Sequence, residues 1–250
     1  MNPVISIIIP SLNDLINLKK IVISIQNQIY KNYEVIIIDA ISTDGTTDYL
    51  KKLKAPFYWE SNNDNGIYDA MNKGIFKAKG KWILFLGTDD QLYDNSVLQD
   101  ILTEKYSPET DMILGNIQYD YNNKDTFWIK RNKGIVNPSW SNKIWIRNTL
   151  HHQGILYKKE LIKNNYFSLQ YDRLSDYALN LKLYNKGVNV IIIDRIVSLC
   201  GTKGVSKKYD WDLYKQEINL KAAESKIYYK PLFTILGWLK YSFKNIEKLF

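Results

Sequence analysis

Two adjacent carboxylates, Asp89 and Asp90, come directly after a largely apolar run at residues 81–88. The run predicts a buried strand, and ligands of open α/β sheets bind just beyond the carboxyl ends of the strands. Neighbouring acids repel each other unless a positive charge offsets them. A divalent cation carrying a phosphorylated ligand meets that need, because hard cations bind carboxylate and phosphate oxygens. A turn or a helix cap is the alternative, since Asp is common in both.

The elements that must position this pair alternate in type along the chain. Strands and helices are predicted in turn at 4–9, 15–29, 35–39, 46–53, 57–59 and 67–78, before the strand that ends at the acidic pair. Solid apolar strands separated by amphipathic helices are typical of a parallel sheet covered on both faces. We therefore predict an α/β fold whose first half binds a nucleotide.

The second half has a different pattern. A helix at 95–105 is followed by shorter strand-like pieces and one further helix, predicted at 112–119, 126–131, 154–157, 174–184 (the helix) and 189–194. Because no Pro/Gly-rich linker separates the halves, we expect residues 111–225 to pack onto the same sheet as residues 1–110. Residues 226–250 form a separate segment.

This C-terminal segment combines apolar, aromatic and basic residues. Pro231–Leu239 is apolar but too short to span a membrane, and lysines flank and interrupt the segment. A basic amphipathic helix with aromatic residues is typical of an interfacial membrane anchor. A terminal helix packed on the core, with its lysines in solvent, is the alternative.

The composition limits the classes of partner and compartment. The net charge of +8 fits an anionic partner, but the lysines are scattered and no nucleic-acid-binding signature accompanies them. The single cysteine, Cys200, excludes an intrachain disulfide framework and fits a reducing compartment. No secretory signal pattern and no run of about 18 apolar residues is present. We expect a cytoplasmic protein.

Asp39, at the end of the second strand, adds a third carboxylate to the same sheet edge. Neither a Walker-type glycine loop nor a Gly-x-Gly-x-x-Gly motif after the first strand is present, which disfavours P-loop hydrolases and dinucleotide-binding enzymes. Four ordered segments instead resemble the family 2 glycosyltransferases of GT-A fold that build bacterial surface polysaccharides. They are Ser6–Asn13, Asp39–Thr46, Asp64–Gly74 and the acidic pair, with a weaker likeness at His151–Gln153, Ser175–Tyr177 and Gly204–Ser206.

The resemblance implies a mostly parallel nucleotide-binding sheet with helices on both faces, plus a smaller mixed acceptor-side portion. Residues 1–110 would be the nucleotide-sugar-binding half, and 111–225 the acceptor-binding and catalytic half. Asp39 would contact the nucleobase, while Asp89 and Asp90 would hold ribose and a Mn²⁺ or Mg²⁺ ion on the diphosphate. The implied nucleotide-sugar contacts are Pro10, Ser11, Asn13, Asp39, Asn72, Lys73, Asp89, Asp90 and Ser206.

Asp176 is the catalytic base that the resemblance implies. It begins a predicted helix, where the positive end of the helix dipole favours its ionised form. An ionised Asp beside an acceptor hydroxyl can remove its proton as the oxygen attacks the sugar. One base without a covalent nucleophile implies a single displacement with inversion at the anomeric carbon. A helix cap without a chemical role is the alternative.

Three further features are open to two interpretations. Lys203, Lys207 and Lys208 surround the Gly204–Ser206 loop, which could close over the diphosphate or form a solvated basic turn. His151 and His152 are the only histidines; in an extended segment at most one would face the cleft, to contact metal, phosphate or acceptor, and a structural role is the alternative.

Gly87 is a departure from the family pattern. Many relatives carry an acidic residue or Asn two places before the acidic pair, so one polar contact to nucleotide or metal is absent at this position. Which Asp of the pair is the direct metal ligand therefore stays open.

We predict an inverting, metal-dependent glycosyltransferase. It would move a sugar from a nucleotide-sugar, a UDP-sugar by preference, to a hydroxyl of a lipid-linked glycan at the cytoplasmic face of the plasma membrane. A nucleotidyltransferase would need a glycine-rich basic loop after the first strand, which residues 10–13 do not supply. A nucleic-acid-binding module would need a contiguous basic stripe and leaves the three carboxylates unexplained.

Overall fold

The computed structural model describes residues 2–120, 134–201, 209–225 and 229–247. Within these residues one mixed sheet is built from nine strands. They are β1 (Ile5–Ser11), β2 (Tyr33–Asp39), β3 (Phe57–Ser61), β4 (Trp82–Phe85), β5 (Gln91–Leu92), β6 (Met112–Tyr119), β7 (Ile135–Val136), β8 (Ile155–Lys158) and β9 (Val190–Cys200). The strand order is β3-β2-β1-β4-β8-β6-β9-β5, and β7 pairs with β6.

Helices cover both faces of this sheet. They are α1 (Leu15–Gln26), α2 (Thr46–Leu50), α3 (Ile67–Lys77), α4 (Val97–Leu102), α5 (Lys159–Lys163), α6 (Ser175–Asn185), α7 (Trp211–Glu224) and α8 (Lys230–Glu247). Two short 3-10 helices, Asn142–Trp145 and His152–Gly154, lie between β7 and β8.

The strands of the first half are parallel to one another, as the apolar runs predicted. β1 lies between β2 and β4 and is parallel to both. Successive residues of β1 face opposite cores, since Ile8 packs in one apolar cluster while Ile7 and Ile9 pack in the other. Every residue of β1 is buried, and because side chains alternate across a strand, both faces of the sheet must be covered here. The predicted two-sided α/β architecture is confirmed.

The second half extends the same sheet with mixed strand directions. β8 runs antiparallel to β4 and β6, whereas β9 is parallel to β6. β5, the short strand after the acidic pair, pairs with the end of β9. Because the end of β9 pairs with β5, Gly201, just beyond β9, lies next to the acidic pair.

β9 and α7 differ from the sequence prediction, and the short elements β5, β7 and α5 were not predicted. The predicted strand at 126–131 lies outside the described residues. β9 continues beyond residue 194 to Cys200, because Arg195 pairs with Asp94 and Asp100 instead of ending the strand. α7 was not predicted, since its buried positions include a lysine, Lys221, which obscures the apolar period.

α8 is the amphipathic helix that the C-terminal pattern predicted. Phe233 stacks on Trp145 at 6.0 Å between ring centroids, and Tyr241 packs against Tyr214 of α7. The opposite side exposes an apolar stripe, which consists of Leu232, Ile235, Leu239 and Phe243. Among the described residues, no helix combines the length and the hydropathy required to cross a bilayer.

Candidate active site

The site lies at the carboxyl edge of β1, β2 and β4. The loop after β1 contacts both neighbouring loops: the Asn13 side-chain oxygen accepts from the backbone N–H of Thr43 at 2.7 Å, and the Thr88 hydroxyl donates to Asp14 at 2.6 Å. Asn13 adopts a positive φ of 48°, which Asn tolerates better than most residues. These bonds join the three strand ends into one wall.

Asp39 is fully buried at the end of β2. Its carboxylate accepts from the hydroxyl and backbone N–H of Ser42, at 2.5 and 3.1 Å, and from the hydroxyl of Ser61 at 2.6 Å. Ser11 lies beside Asp39 in the β1–β2 register, and its buried hydroxyl has no hydrogen-bond partner in the described part of the chain. A buried polar atom without a partner is costly, so this edge suits a polar ligand group.

Pro10, Asn72 and Lys73 occupy different positions relative to this edge. Pro10 is buried within β1. On α3, the Asn72 amide exchanges two hydrogen bonds with the backbone of Phe167, at 2.9 and 3.0 Å. Lys73 pairs with Asp69 at 3.2 Å and donates to a backbone carbonyl at residue 63. Asn72 and Lys73 therefore hold neighbouring segments of the protein together.

The acidic pair divides into a buried and a half-buried carboxylate. Asp90 is 2% exposed, and it accepts from the backbone N–H of Gly87 at 2.6 Å and of Gly201 at 3.2 Å. Burial, together with the charge of Asp89, raises the pKa of Asp90 to about 6. Asp89 accepts no hydrogen bond from the described residues.

Glycines make room for both carboxylates. A Cβ at Gly201 would lie 1.9 Å from Oδ2 of Asp89, and a Cβ at Gly87 would lie 3.1 Å from Oδ1 of the same residue. Gly201 is thus the residue type that lets the end of β9 approach Asp89 this closely. A side chain at position 87 would crowd the acidic pair. Glycine at this position leaves space for the two carboxylates, but it has no side chain that could contact nucleotide or metal.

The acidic pair is compatible with a divalent cation. No cluster of three His, Cys, Asp or Glu side chains that could hold a metal occurs in the described part of the chain. Mg²⁺-type sites, however, commonly use one or two carboxylates plus phosphate oxygens and water. Asp89, which accepts no hydrogen bond from the part of the chain that the structure describes, and Asp90, with a raised pKa, are two potential ligands whose mutual repulsion a cation would relieve. The residues present fit such an ion.

Asp176 lies in the first turn of α6. Its Oδ1 accepts from the Tyr68 hydroxyl at 3.0 Å and from the backbone N–H of Tyr177 at 2.8 Å. Its Oδ2 accepts from the Asn148 amide at 3.4 Å and lies 3.5 Å from Nδ1 of His152. Four groups therefore fix the orientation of this carboxylate.

These contacts decide the protonation state of Asp176. Burial opposes its ionisation, but His152, Tyr68 and the Tyr177 N–H outweigh burial and hold the pKa below its usual value. Burial and the charge of Asp176 raise the pKa of Tyr68 well above its usual value, so the phenol stays a donor. Asp176 is consequently ionised at neutral pH, which is the state that a general base requires.

The two histidines face different parts of the site. His152 faces Asp176, with its Nδ1 3.5 Å from Oδ2 of that carboxylate. The His151 ring packs edge-on against Tyr119 at 6.0 Å and lines a cavity next to Asp176.

The Cys200 thiol is buried close to the acidic pair. Burial, reinforced by the charge of Asp90, raises its pKa well above the usual value. Because the thiolate is the nucleophilic form, Cys200 does not act as a covalent nucleophile at this site.

The structure brings together Ser11, Asn13 and Asp39 at one end of the edge, and Asp89, Asp90, His152 and Asp176 at the other. Ser206 and Lys203 lie outside the described residues. Sequence reasoning missed Tyr68, Asn148 and Gly201 as contacts of the carboxylates. Tyr68 lies within the segment Asp64–Gly74 that carried the resemblance, whereas nothing in the pattern around Asn148 or Gly201 indicated their partners.

The mixed α/β sheet thus carries three carboxylates at its parallel-strand edge, and hydrogen bonds hold the Asp176 carboxylate in one orientation. The family model for glycosyl transferase family 2 matches residues 6–173. The chain belongs to this family, and it is a glycosyltransferase of glycan biosynthesis.

Relatives by sequence include enzymes of bacterial surface glycans. The chain is 30% identical over 196 residues to the PGL/p-HBAD biosynthesis glycosyltransferase of Mycobacterium bovis, covering 73% of this chain and 70% of that protein. It is 31% identical over 100 residues to the GalNAc(5)-diNAcBac-PP-undecaprenol beta-1,3-glucosyltransferase of Campylobacter jejuni, covering 38% of this chain and 32% of that protein.

Solved structures confirm the GT-A fold. Residues 1–349 of S. aureus TarS in complex with UDP-GlcNAc match with a TM-score of 0.69 and 19% identity, over 88% of this chain and 66% of that chain. The mannosyltransferase PcManGT from Pyrobaculum calidifontis, in complex with GDP-Man and Mn²⁺, matches with a TM-score of 0.67 and 16% identity, over 96% of this chain and 70% of that chain.

Proposed function

We propose that this enzyme transfers a sugar, with inversion, from a nucleotide-sugar to a hydroxyl of a lipid-linked glycan during surface-polysaccharide synthesis. The observation that carries the proposal is the Asp176 carboxylate, held ionised by Tyr68 and His152. Nδ1 of His152 lies 3.5 Å from Oδ2 of this carboxylate. The acidic pair at the donor edge is the proposed leaving-group site.

The proposed reaction is a single displacement. The acceptor hydroxyl gives its proton to Asp176 as its oxygen forms a bond to the anomeric carbon of the donor sugar. The bond between that carbon and the diphosphate oxygen breaks, and the diphosphate keeps the electron pair. Tyr68 and Asn148 hold the carboxylate in one orientation, which supports proton transfer in a fixed geometry.

Residues 1–110 bind the donor in this proposal, and residues 111–225 bind the acceptor. Asp39 and Ser11 contact the nucleobase, with Pro10 and Asn13 shaping the pocket. Asp89 and Asp90 would hold Mn²⁺ or Mg²⁺, which would supply positive charge to offset that of the leaving diphosphate. UDP is the proposed nucleotide, supported by the UDP-GlcNAc complex of TarS.

In this proposal, Asn72 and Lys73 contribute to donor binding indirectly, by stabilising neighbouring segments of the protein. Both side chains have protein partners, so their contribution is to hold the 63–69 loop and Phe167 in place. Ser206 and Lys203 belong, in this proposal, to a loop that closes over the diphosphate.

Product stereochemistry tests this function. With an α-linked UDP-sugar as donor, we expect the first-formed product to carry a β-linked sugar, because one displacement inverts the anomeric carbon. Proton NMR of the reaction, recorded from the first minutes, distinguishes the anomers by their coupling constants. An α-linked first product would contradict the single displacement and the role of Asp176.

Peripheral binding at the cytoplasmic face of the membrane completes the proposal. The stripe Leu232, Ile235, Leu239 and Phe243 is exposed on α8, with Trp238 59% exposed nearby. Lysines on the same helix suit anionic headgroups. In sedimentation with phosphatidylglycerol vesicles, we expect Trp238→Ser to lower the bound fraction several-fold. Phe76→Ser, at a residue that is 78% exposed on α3, is the control; equal losses for both variants would contradict the role of α8.

A further inference from the structure

A large cavity lies between α6, α7 and α8. Its volume is about 670 Å³, and its walls include Leu239 and Phe243 of α8. A second cavity of about 740 Å³ has a more polar wall, with Ser139, Thr149 and His151. The proposed transfer reaction uses the donor edge and the region around Asp176. It assigns no role to the apolar cavity.

The two cavities meet beside the catalytic base. Arg147, Asn148 and Tyr209 line both of them. Asn148 also donates to Oδ2 of Asp176. A molecule that occupies both cavities therefore passes next to the carboxylate that takes the proton.

Positive charge concentrates where the cavities meet. The exposed guanidinium of Arg147 has no ion-pair partner within the ranges that the structure describes. The ammonium of Lys244 lies 5.0 Å from the centroid of the Tyr209 ring. Glu217, an acidic residue of the wall, is shared by Lys221 and Lys240, so its single charge is already offset and the cationic excess remains.

The apolar cavity opens onto the exposed stripe of α8. Leu239 and Phe243 belong both to the cavity wall and to this stripe, where Leu239 is 52% and Phe243 is 72% exposed. From the stripe inward, the surface thus changes from apolar to cationic to polar. This order matches an amphiphile whose lipid chain, phosphate and sugar follow one another.

We propose that the groove between α6, α7 and α8 binds the lipid-phosphate portion of the acceptor. The lipid chain packs on Leu239 and Phe243, Arg147 and Lys244 contact the phosphate, and the acceptor sugar enters the polar cavity beside Asp176. The inference rests on the proposed function, because it assigns the acceptor side of that reaction to a phosphorylated lipid carrier.

Farnesyl diphosphate is a soluble probe for this groove. Calorimetric titrations in EDTA exclude diphosphate binding through a cation at Asp89 and Asp90. We expect wild-type protein to bind the probe, and Arg147→Gln and Phe243→Ser to weaken binding about tenfold or more. Lys20→Gln and Phe76→Ser, which are exposed residues of α1 and α3, should bind the probe as wild type does. Both groove residues are exposed, so melting temperatures should not change.

Two partial ligands identify which chemistry is recognised. Inorganic pyrophosphate and farnesol should each bind at least tenfold more weakly than farnesyl diphosphate. Equal binding of pyrophosphate would show an anion site only, and equal binding of farnesol an apolar site only. Either result overturns the proposal, as does wild-type affinity in Arg147→Gln or in Phe243→Ser.

A second titration separates this inference from the proposed function. UDP with Mn²⁺ is added to the same variants, and Arg147→Gln should bind it as wild type does, because Arg147 lies outside the donor edge. Metal-dependent UDP binding without farnesyl diphosphate binding overturns the groove alone. Farnesyl diphosphate binding without UDP binding keeps the lipid-phosphate site and contradicts the proposed donor.

Discussion

Asp176→Asn is expected to lower turnover by roughly 10²–10⁴-fold, the usual contribution of a general base. Asn has nearly the same shape as Asp, but it cannot take the proton of the acceptor hydroxyl. Tyr68 and the Tyr177 N–H can still donate to its side-chain oxygen, so donor binding should be unchanged. Steady-state release of nucleoside diphosphate in the presence of acceptor measures the first effect, and a UDP titration with Mn²⁺ measures the second.

Asp172→Asn is the matched control for this substitution. Asp172 precedes α6 by three residues and is largely exposed, with a side chain that is 73% accessible. It should keep wild-type turnover. Wild-type turnover in Asp176→Asn would exclude Asp176 as the base, and an equal loss in both variants would point to a change in the fold of this segment.

Asp90→Asn is expected to weaken metal-dependent nucleotide binding on the order of 100-fold, about what removal of one partner from a buried charge pair costs. Burial and the charge of Asp89 raise the pKa of Asp90 to about 6, so above that pH the apo protein holds two repelling carboxylates. Asn removes this repulsion. Its NH₂ group would, however, face one of the two backbone N–H donors that Asp90 accepts from, Gly87 or Gly201. These effects oppose each other, so without metal we expect a melting temperature close to that of wild type, while the stabilisation by UDP with Mn²⁺ is lost.

Asp48→Asn serves as the control for Asp90→Asn. Asp48 lies on α2, with a side chain that is 74% exposed and pairs with the neighbouring Lys51, so its neutralisation should leave nucleotide binding unchanged. If Asp90→Asn bound UDP with Mn²⁺ as tightly as wild type, the acidic pair would not be the diphosphate and metal site.

The donor edge could be predicted from the sequence because its geometry follows from local patterns. Apolar runs ending in Ser11, Asp39 and Asp89 give parallel strands, and parallel strands place their carboxyl ends at one edge. The register of β1 and β2 pairs Ser11 with Asp39 in this way. The helix that carries Asp176 was also predicted, over residues 174–184, and the structure has it at Ser175–Asn185.

The contacts that tune the carboxylates could not be predicted in this way. Tyr68 and Asp176 are separated by 108 positions and meet only because α3 and α6 pack on the same face of the sheet. Gly201 approaches Asp90 across 111 positions. The family resemblance implied donor contacts for Asn72 and Lys73, whereas their hydrogen bonds to the backbone of Phe167 and of residue 63 depend on tertiary packing.

α7 illustrates a second reason why parts of the structure could not be predicted from the sequence. Its buried side includes Lys221, which is 3% exposed and offset by Glu217 one turn earlier. Burial of this lysine lowers its pKa to about 8. A pattern search that treats lysine as a surface residue breaks the helix at this position, and with α7 it loses one wall of the apolar groove.

The most direct test of the central claim is a thermal-stabilisation screen of nucleotide-sugars with and without Mn²⁺ or Mg²⁺. The account predicts that a UDP-sugar raises the melting temperature of the wild-type protein only when the metal is present, and that Asp90→Asn abolishes this rise. Stabilisation that is equal without metal, or that comes from a polynucleotide and from no nucleotide-sugar, would contradict it.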